Sequence, residues 1–232
     1  MTETAWFAME VFERRQETPL LVSLKLVPES EELRLDFRAG QCVKILCPDG
    51  RESYFAIASE PEQTEGLEFL IKDQPASAAH TLCQVRAGEK VKMSLPFGKG
   101  YPVDRLNAKD VLLIGIGSGL SPLRSLLKSM LRRDQEFGQI TLLYGARTPE
   151  DLPFPGEFGF WRRKIKVELA ISQPRDSRWE GFVGRVTERL PQLRFNPLRT
   201  AVCLCGSKAM QEEVTNLLEK AGVSKENVFL NY

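Results

Sequence analysis

The sequence predicts two domains in series, an antiparallel β-barrel followed by an α/β domain built on a parallel sheet. Three observations carry this prediction. Up to about Tyr101, short apolar segments recur at even spacing between Pro, Gly and acidic turns, the pattern of a closed antiparallel barrel. From Asp110 onward, apolar strands alternate with helical repeats, the texture of parallel strands joined by crossover helices. Finally, Val111-Leu112-Leu113-Ile114 runs into Gly115-Ile116-Gly117-Ser118-Gly119-Leu120-Ser121-Pro122, a glycine turn that opens a helix. The domains are placed at 1–104 and 105–232, with the passage between them near Tyr101 to Lys109.

Taken in order, the expected barrel strands are Trp6 to Arg14, Leu20 to Val27, Leu33 to Phe37, Cys42 to Cys47, Tyr54 to Ala58, Leu67 to Ile71 and Lys90 to Leu95, with one helical turn near Ser77 to Gln84. In the second domain Pro122 suits a first helical turn, where a missing N–H costs nothing. Leu123, Leu126, Leu127 and Met130 then repeat at helical spacing up to the polar break Arg132-Arg133-Asp134. Strands are expected at Ile140 to Tyr144, Lys166 to Ile171, Ala201 to Leu204 and Val228 to Leu230. Helices are expected near Glu157 to Arg162, Val186 to Leu190 and Lys208 to Ala221, the last stopped by Gly222.

Composition narrows the function classes. Thirty-two basic against thirty-one acidic residues leave a net charge of +1, which gives no global field for nucleic acid or an anionic membrane. No apolar run approaches the roughly 20 residues that span a bilayer, and the opening Met1-Thr2-Glu3-Thr4 lacks a basic signal region, so a soluble cytoplasmic protein is expected. Five cysteines argue against a disulfide framework. Cys42 and Cys47 begin a C-x4-C spacing without the third cysteine of a plant-type cluster, so no cluster is assigned, and Cys42, Cys47, Cys83 and Cys203 read as buried apolar residues. The single histidine, His80, leaves a His-based metal site or a Ser-His-Asp triad without its parts.

The glycine turn points to a phosphate. Glycines let backbone approach a ligand closely, and the following helix aims N–H groups at it. The strict Gly-x-Gly-x-x-Gly fingerprint is not met, because Leu120 stands where the third glycine belongs. Two further strands end in small residues, at Gly145-Ala146-Arg147 and at Cys205-Gly206-Ser207, and three such ends make one ligand edge of a parallel sheet.

In this company the chain resembles the ferredoxin-NADP reductase family over nearly its whole length. The resemblance rests on Gly115-x-Gly117-x-Gly119-x-x-Pro122, on the Cys205-Gly206 turn with a helix beginning near Met210, on Ala39-Gly40-Gln41, on Phe55-Ala56-Ile57-Ala58-Ser59 and on Leu95-Pro96-Phe97-Gly98-Lys99-Gly100-Tyr101. It implies an FAD-binding barrel and an NAD(P)H-binding lobe. The implied activity is hydride transfer from NAD(P)H to FAD and onward delivery to a separate, unidentified acceptor, a protein or a small molecule. The cofactors carry such chemistry, so a shortage of acids, bases and metal ligands is no objection.

The same resemblance implies site residues. Anchored on Ile57-Ala58-Ser59, the family's Arg-x-Tyr-Ser strand puts Phe55 at the tyrosine, Ala56 at the first serine and Ser53 at the arginine, with Arg51 two residues early. Phe55 is expected against the flavin, with Tyr54 as the alternative, since a one-residue slip turns a strand over. Ile71 and Lys72, at the end of the Leu67 to Ile71 strand, are also implied at the cofactor. The family's Gly-x-x-Ser element falls on Ala76-Ser77-Ala78-Ala79, where backbone N–H groups of Ala78, Ala79 and His80 and the Thr81 hydroxyl are expected to meet the pyrophosphate. On the nucleotide side the implied set is Gly117, Ser118, Gly119, Pro122, Gly145, Ala146, Arg147, Gly206, Ser207 and Met210. Cys205 and Ser118 are implied at the reacting edge, and Tyr232 over the flavin ring. Because Ser172-Gln173-Pro174 carries no adjacent arginine, NADH is expected to serve at least as well as NADPH. A second reading stays open on Ala56, Ala76 and Ala79: a non-enzymatic or regulatory subunit of a redox complex that binds flavin weakly or not at all.

Overall fold

A computed structural model describes residues 5–63, 65–175 and 178–231. The first sheet comprises β1 (Phe7–Thr18), β2 (Leu21–Pro28), β3 (Cys42–Leu46), β4 (Glu52–Ala56), β5 (Leu67–Lys72) and, after the short helix α1 (Ala78–Cys83), β6 (Lys90–Met93). Its order is β4-β3-β6-β1-β2-β5, all pairs antiparallel, and an Ile57–Phe69 bridge brings the two edges together into a barrel. Alternate residues such as Val43, Ile45, Met9, Val11, Leu24 and Phe69 fill its interior.

One expected strand is absent. Leu33 to Phe37 has the alternation of a strand and packs Leu33, Leu35 and Phe37 on the barrel core, but no strand forms there. Alternation reports one-sided burial, and a segment extended along a core shows it with or without a ladder partner.

The second sheet contains β7 (Asp110–Ile116), β8 (Ile140–Ala146), β9 (Lys166–Ile171), the two-residue β10 (Phe182–Val183), β11 (Thr200–Cys205) and β12 (Val228–Leu230). Its pairings are all parallel in the order β10-β9-β8-β7-β11-β12. Between the strands lie α2 (Leu120–Leu131), α3 (Pro155–Trp161), α4 (Val186–Arg189) and α5 (Lys208–Lys220). Strand residues divide between two cores, with Val111 and Leu113 packing toward α2 and α3, and Leu112 and Ile114 toward α4 and α5. The chain steps outward from β7 to β10 and then returns to the other side of β7, so the strand order reverses between β7 and β11. Open parallel sheets bind ligands at such a switch point, beyond the carboxyl ends of the strands.

The two sheets share packing. Leu21, Ala39, Leu70 and Tyr101 from the barrel side belong to the same buried cluster as the α2 leucines. Tyr101 is 1% exposed, and its hydroxyl donates to the Leu204 carbonyl at 3.1 Å, stitching the inter-sheet passage to the end of β11. No helix among the described residues is long and apolar enough to cross a membrane.

Candidate functional site

A cleft of about 850 Å³ opens between the barrel and the carboxyl edge of the parallel sheet. Its barrel wall is Ser53 to Ala56 of β4 and Leu70 to Lys72 of β5; its opposite wall is Ile116 to Gly119, Tyr144 to Arg147 and Cys205 to Ser207. That size suits a cofactor site, and the walls are mostly apolar with a few convergent polar groups.

Gly117 and Gly119 serve the loop in different ways. Gly117 has φ +54°, the left-handed region that favours glycine, and a side chain there would point into open space. Its carbonyl accepts the Tyr144 hydroxyl at 2.9 Å, so the neighbouring strand pins the loop. Gly119 has an ordinary φ of −62°, but a Cβ on it would lie 2.4 Å from the Cys205 carbonyl oxygen. The missing side chain therefore lets the glycine turn sit directly on the end of β11.

Cys205 is half-buried at that strand end. Burial pushes its thiol up to about 11, against a smaller downward pull from a hydrogen bond with Asn231, so it is a neutral thiol at physiological pH. Ser207 caps α5, its hydroxyl accepting the Met210 N–H at 3.3 Å. Met210 is buried, and its terminal methyl lies against Gly206. Arg147 is exposed on the cleft, 3.6 Å from Asp151.

On the barrel wall the structure corrects the expected facing of β4. Phe55 pairs with Val43 and packs inside the barrel at 8% exposed, whereas Tyr54 pairs with Lys44 on the outer face at 62% exposed. The ladder register decides this, because successive strand residues point to opposite faces. Tyr54 stacks edge-on against Phe97 at 5.8 Å, with the Lys44 ammonium 5.6 Å from its ring. Ile57, Ala58 and Ser59 do not reach the cleft: all are fully buried, and the Ser59 hydroxyl accepts the Glu68 N–H at 3.1 Å. The chain turns inward there to bring β4 against β5.

The α1 region also differs in detail. The His80 N–H is taken by Ser77, which caps the helix, and the His80 ring Nδ1 lies 2.6 Å from Asp73. The Thr81 hydroxyl donates back to the Ala78 carbonyl at 2.9 Å. Of this segment Ala79 alone lines the cleft, with Ala78 half-buried against the barrel core. Pro122 is buried in the first turn of α2, away from the cleft wall. Tyr232 lies outside the described residues.

Ala76 holds φ +64°, a left-handed conformation in a residue with a Cβ, at the position where the resembled motif has glycine. Its carbonyl accepts Arg51 Nη1 at 3.0 Å, which brings to this segment a guanidinium that the linear motif placed too early. A left-handed alanine costs about 1–2 kcal/mol. Ala76→Gly relieves that strain while loosening the unfolded chain by about 0.4–1 kcal/mol. A net gain in thermal midpoint of roughly 1–3 °C is therefore expected by calorimetry.

Sequence reasoning missed Tyr144, Ser121 and Thr187, all of which border the cleft. Ser121 was legible only as a polar residue three before Arg124, a spacing that marks one helix face.

The comparisons agree with this geometry. A family model described as an oxidoreductase NAD-binding domain matches residues 113–216. Sulfhydrogenase 1 subunit gamma of Pyrococcus furiosus is 31% identical over 206 residues, which cover 88% of this chain and 70% of that protein. The chain belongs to the ferredoxin-NADP reductase-like FAD/NAD-binding oxidoreductases. Reductase component 2 of terephthalate 1,2-dioxygenase from Comamonas sp is 27% identical over 194 residues, covering 82% of this chain and 57% of that protein, so the chain spans under two thirds of that relative. A ferredoxin NADP+ reductase from Neisseria gonorrhoeae, solved with FAD and NADP, superposes with a TM-score of 0.84 at 19% identity, covering 98% of each chain. Members of this family are NAD(P)H-dependent flavin oxidoreductases, and their cofactors fit the cleft. An exposed aromatic face at Tyr54 stands on one wall, and the missing side chain at Gly117 leaves open space on the other.

Proposed function

We propose that the chain takes hydride from NAD(P)H onto FAD and delivers electrons to a separate acceptor. The observation that carries this is one cleft in which the Tyr54 face, the Gly117–Gly119 turn and the Cys205 thiol come together. When bound, FAD supplies the ring that accepts hydride and releases electrons in ones or twos. In this reading Tyr54 provides the planar wall for that ring. The Ala79 N–H, on the cleft wall, meets its pyrophosphate, with Arg51 held beside that segment by Asp49 and the Ala76 carbonyl. Gly117, Ser118 and the Gly145-Ala146-Arg147 strand end receive the nucleotide. Cys205, neutral and half-buried, orients the nicotinamide by packing rather than by nucleophilic attack.

Titration of the apoprotein with FAD, followed by visible absorbance and calorimetry, tests the reading: saturable binding and bleaching on addition of NADH are expected. Absence of binding at high micromolar FAD overturns it.

Cys205→Ser keeps a small polar group but changes the contact surface. Its flavin content is expected to match wild type, while the rapid-mixing reduction rate falls by about 10- to 100-fold, the scale of loss when reacting atoms are misplaced. Unchanged reduction kinetics would leave Cys205 a strand-end residue with no part in orienting the nicotinamide.

NADH is expected to support turnover at least as well as NADPH. Arg147 shares its charge with Asp151 and Arg175 does not line the cleft, so Arg185 is the cleft arginine left to meet a 2′-phosphate. Steady-state kcat/KM with a dye acceptor measures this, and a strong NADPH preference would contradict it.

A further inference from the structure

One buried cation lies outside the roles given so far. Arg124, on the second turn of α2, is 4% exposed, yet each of its guanidinium nitrogens has a partner. Nη1 donates to the Ala58 carbonyl at 2.8 Å, just past β4, and pairs with Glu68 of β5. Nε and Nη2 fork onto Glu157 of α3 at 2.8 and 2.6 Å. Its flat face covers the Phe154 ring at 4.5 Å. One turn earlier, the Ser121 hydroxyl donates to the Ala56 carbonyl at 2.7 Å and accepts the Leu70 N–H at 3.2 Å.

Both residues lie on the face of α2 that meets the barrel, and α2 continues directly from the Gly117–Gly119 turn. Their barrel partners lie at and just past the end of β4 and along β5, the two strands that form the opposite wall of the cleft, which Ala56 and Leu70 themselves line. A buried ion cluster is a weak stability device, because desolvation offsets most of its attraction; its distinctive property is fixed geometry. A forked guanidinium tolerates little displacement.

We propose that Arg124, seconded by Ser121, is a positioning residue that sets the separation between the β4–β5 wall and the glycine turn, and with it the approach of the two cofactors. The inference rests on the function proposed above. Arg124 touches neither cofactor; it acts through β4, β5 and the start of α2.

Arg124→Lys keeps the charge and removes the fork. Against wild type, it is expected to retain FAD content and NADH affinity within about twofold while the rapid-mixing reduction rate drops on the order of 10²-fold, the scale for displacement of reacting atoms by a distant change. A second readout needs no cofactor: in the apoprotein, hydrogen exchange at the Leu70 N–H, bonded to Ser121 and not to Arg124, should speed up at least about tenfold if the joint loosens, since exchange reports local opening. Ser121→Ala removes a single hydroxyl and serves if the lysine variant does not fold; it is expected to slow reduction in the same direction with flavin content intact. Wild-type reduction rates in both variants, or unchanged Leu70 exchange in Arg124→Lys, overturn the positioning role. Should wild type itself fail to bind FAD, the functional reading falls, and the positioning role toward the cofactors falls with it; Leu70 exchange in the apoprotein then shows only whether Arg124 holds the joint.

Discussion

Gly119→Ala is expected to lower the thermal midpoint by on the order of 2–12 °C and to cut hydride transfer by more than about 100-fold. The backbone at Gly119 has helical dihedrals that alanine adopts without strain, so the effect is purely steric. The added methyl would meet the Cys205 carbonyl oxygen at 2.4 Å and the Cys205 carbonyl carbon at 2.7 Å. Neither atom is the flexible end of a side chain. Either the glycine turn lifts off β11 or the end of β11 moves, and both shift Cys205 against the cleft. Overpacking of this kind costs about 1–3 kcal/mol. Gly159→Ala in α3 is the control, because nothing lies within 4 Å of its Cβ and alanine is the better helix former. Calorimetry and rapid-mixing kinetics on the two variants separate the readings. Equal midpoints and equal rates would show that the contact between turn and strand is slack.

What the sequence made legible was what local periodicity encodes. The apolar repeat of Leu123, Leu126, Leu127 and Met130 identifies α2 and its core face without any tertiary information. The polar residues of the same helix and its C-cap were opaque for a physical reason: Arg124, Ser129 and the cap Arg132 find their acidic partners Glu157, Glu68, Glu62 and Glu60 between 33 and 72 residues away. A charge on a helix reads as a solvated face until its partner's position is known. The glycine turn was readable because its requirement is local, a positive φ at Gly117 and a close approach at Gly119. The left-handed Ala76 shows the converse: a backbone conformation that glycine would signal occurs at an alanine, where the residue type gives no sign of it, with its carbonyl bonded to Arg51. Leu33 to Phe37 and the two-residue β10 mark the remaining limit, since ladder pairing depends on a neighbour that no single segment reveals.

The facing of β4 supplies the sharpest test, because two adjacent aromatic residues should fail in opposite ways. Tyr54→Ala removes an exposed ring from the cleft wall that sits edge-on to Phe97 and beside the Lys44 ammonium. Folding stability should therefore change by less than about 1 kcal/mol, whereas FAD affinity should fall roughly tenfold or more, since lost aromatic stacking of about 0.5–1.5 kcal/mol adds to the lost buried area. Phe55→Ala empties a position in the barrel interior opposite Val43, in contact with the barrel core. A buried phenylalanine truncated to alanine costs about 3–5 kcal/mol, so this variant should unfold at distinctly lower temperature and lose flavin only as the barrel loosens. Denaturant unfolding of the apoproteins, paired with calorimetric FAD titration, reads both quantities independently. If instead Phe55→Ala spares stability and abolishes flavin binding while Tyr54→Ala does neither, β4 presents its other face to the cofactor. The ladder from Cys42–Ala56 to Leu46–Glu52 would then have to slip by one residue, which would turn Tyr54 inward among Val43 and Ile45 and carry Glu52 with it into an apolar core.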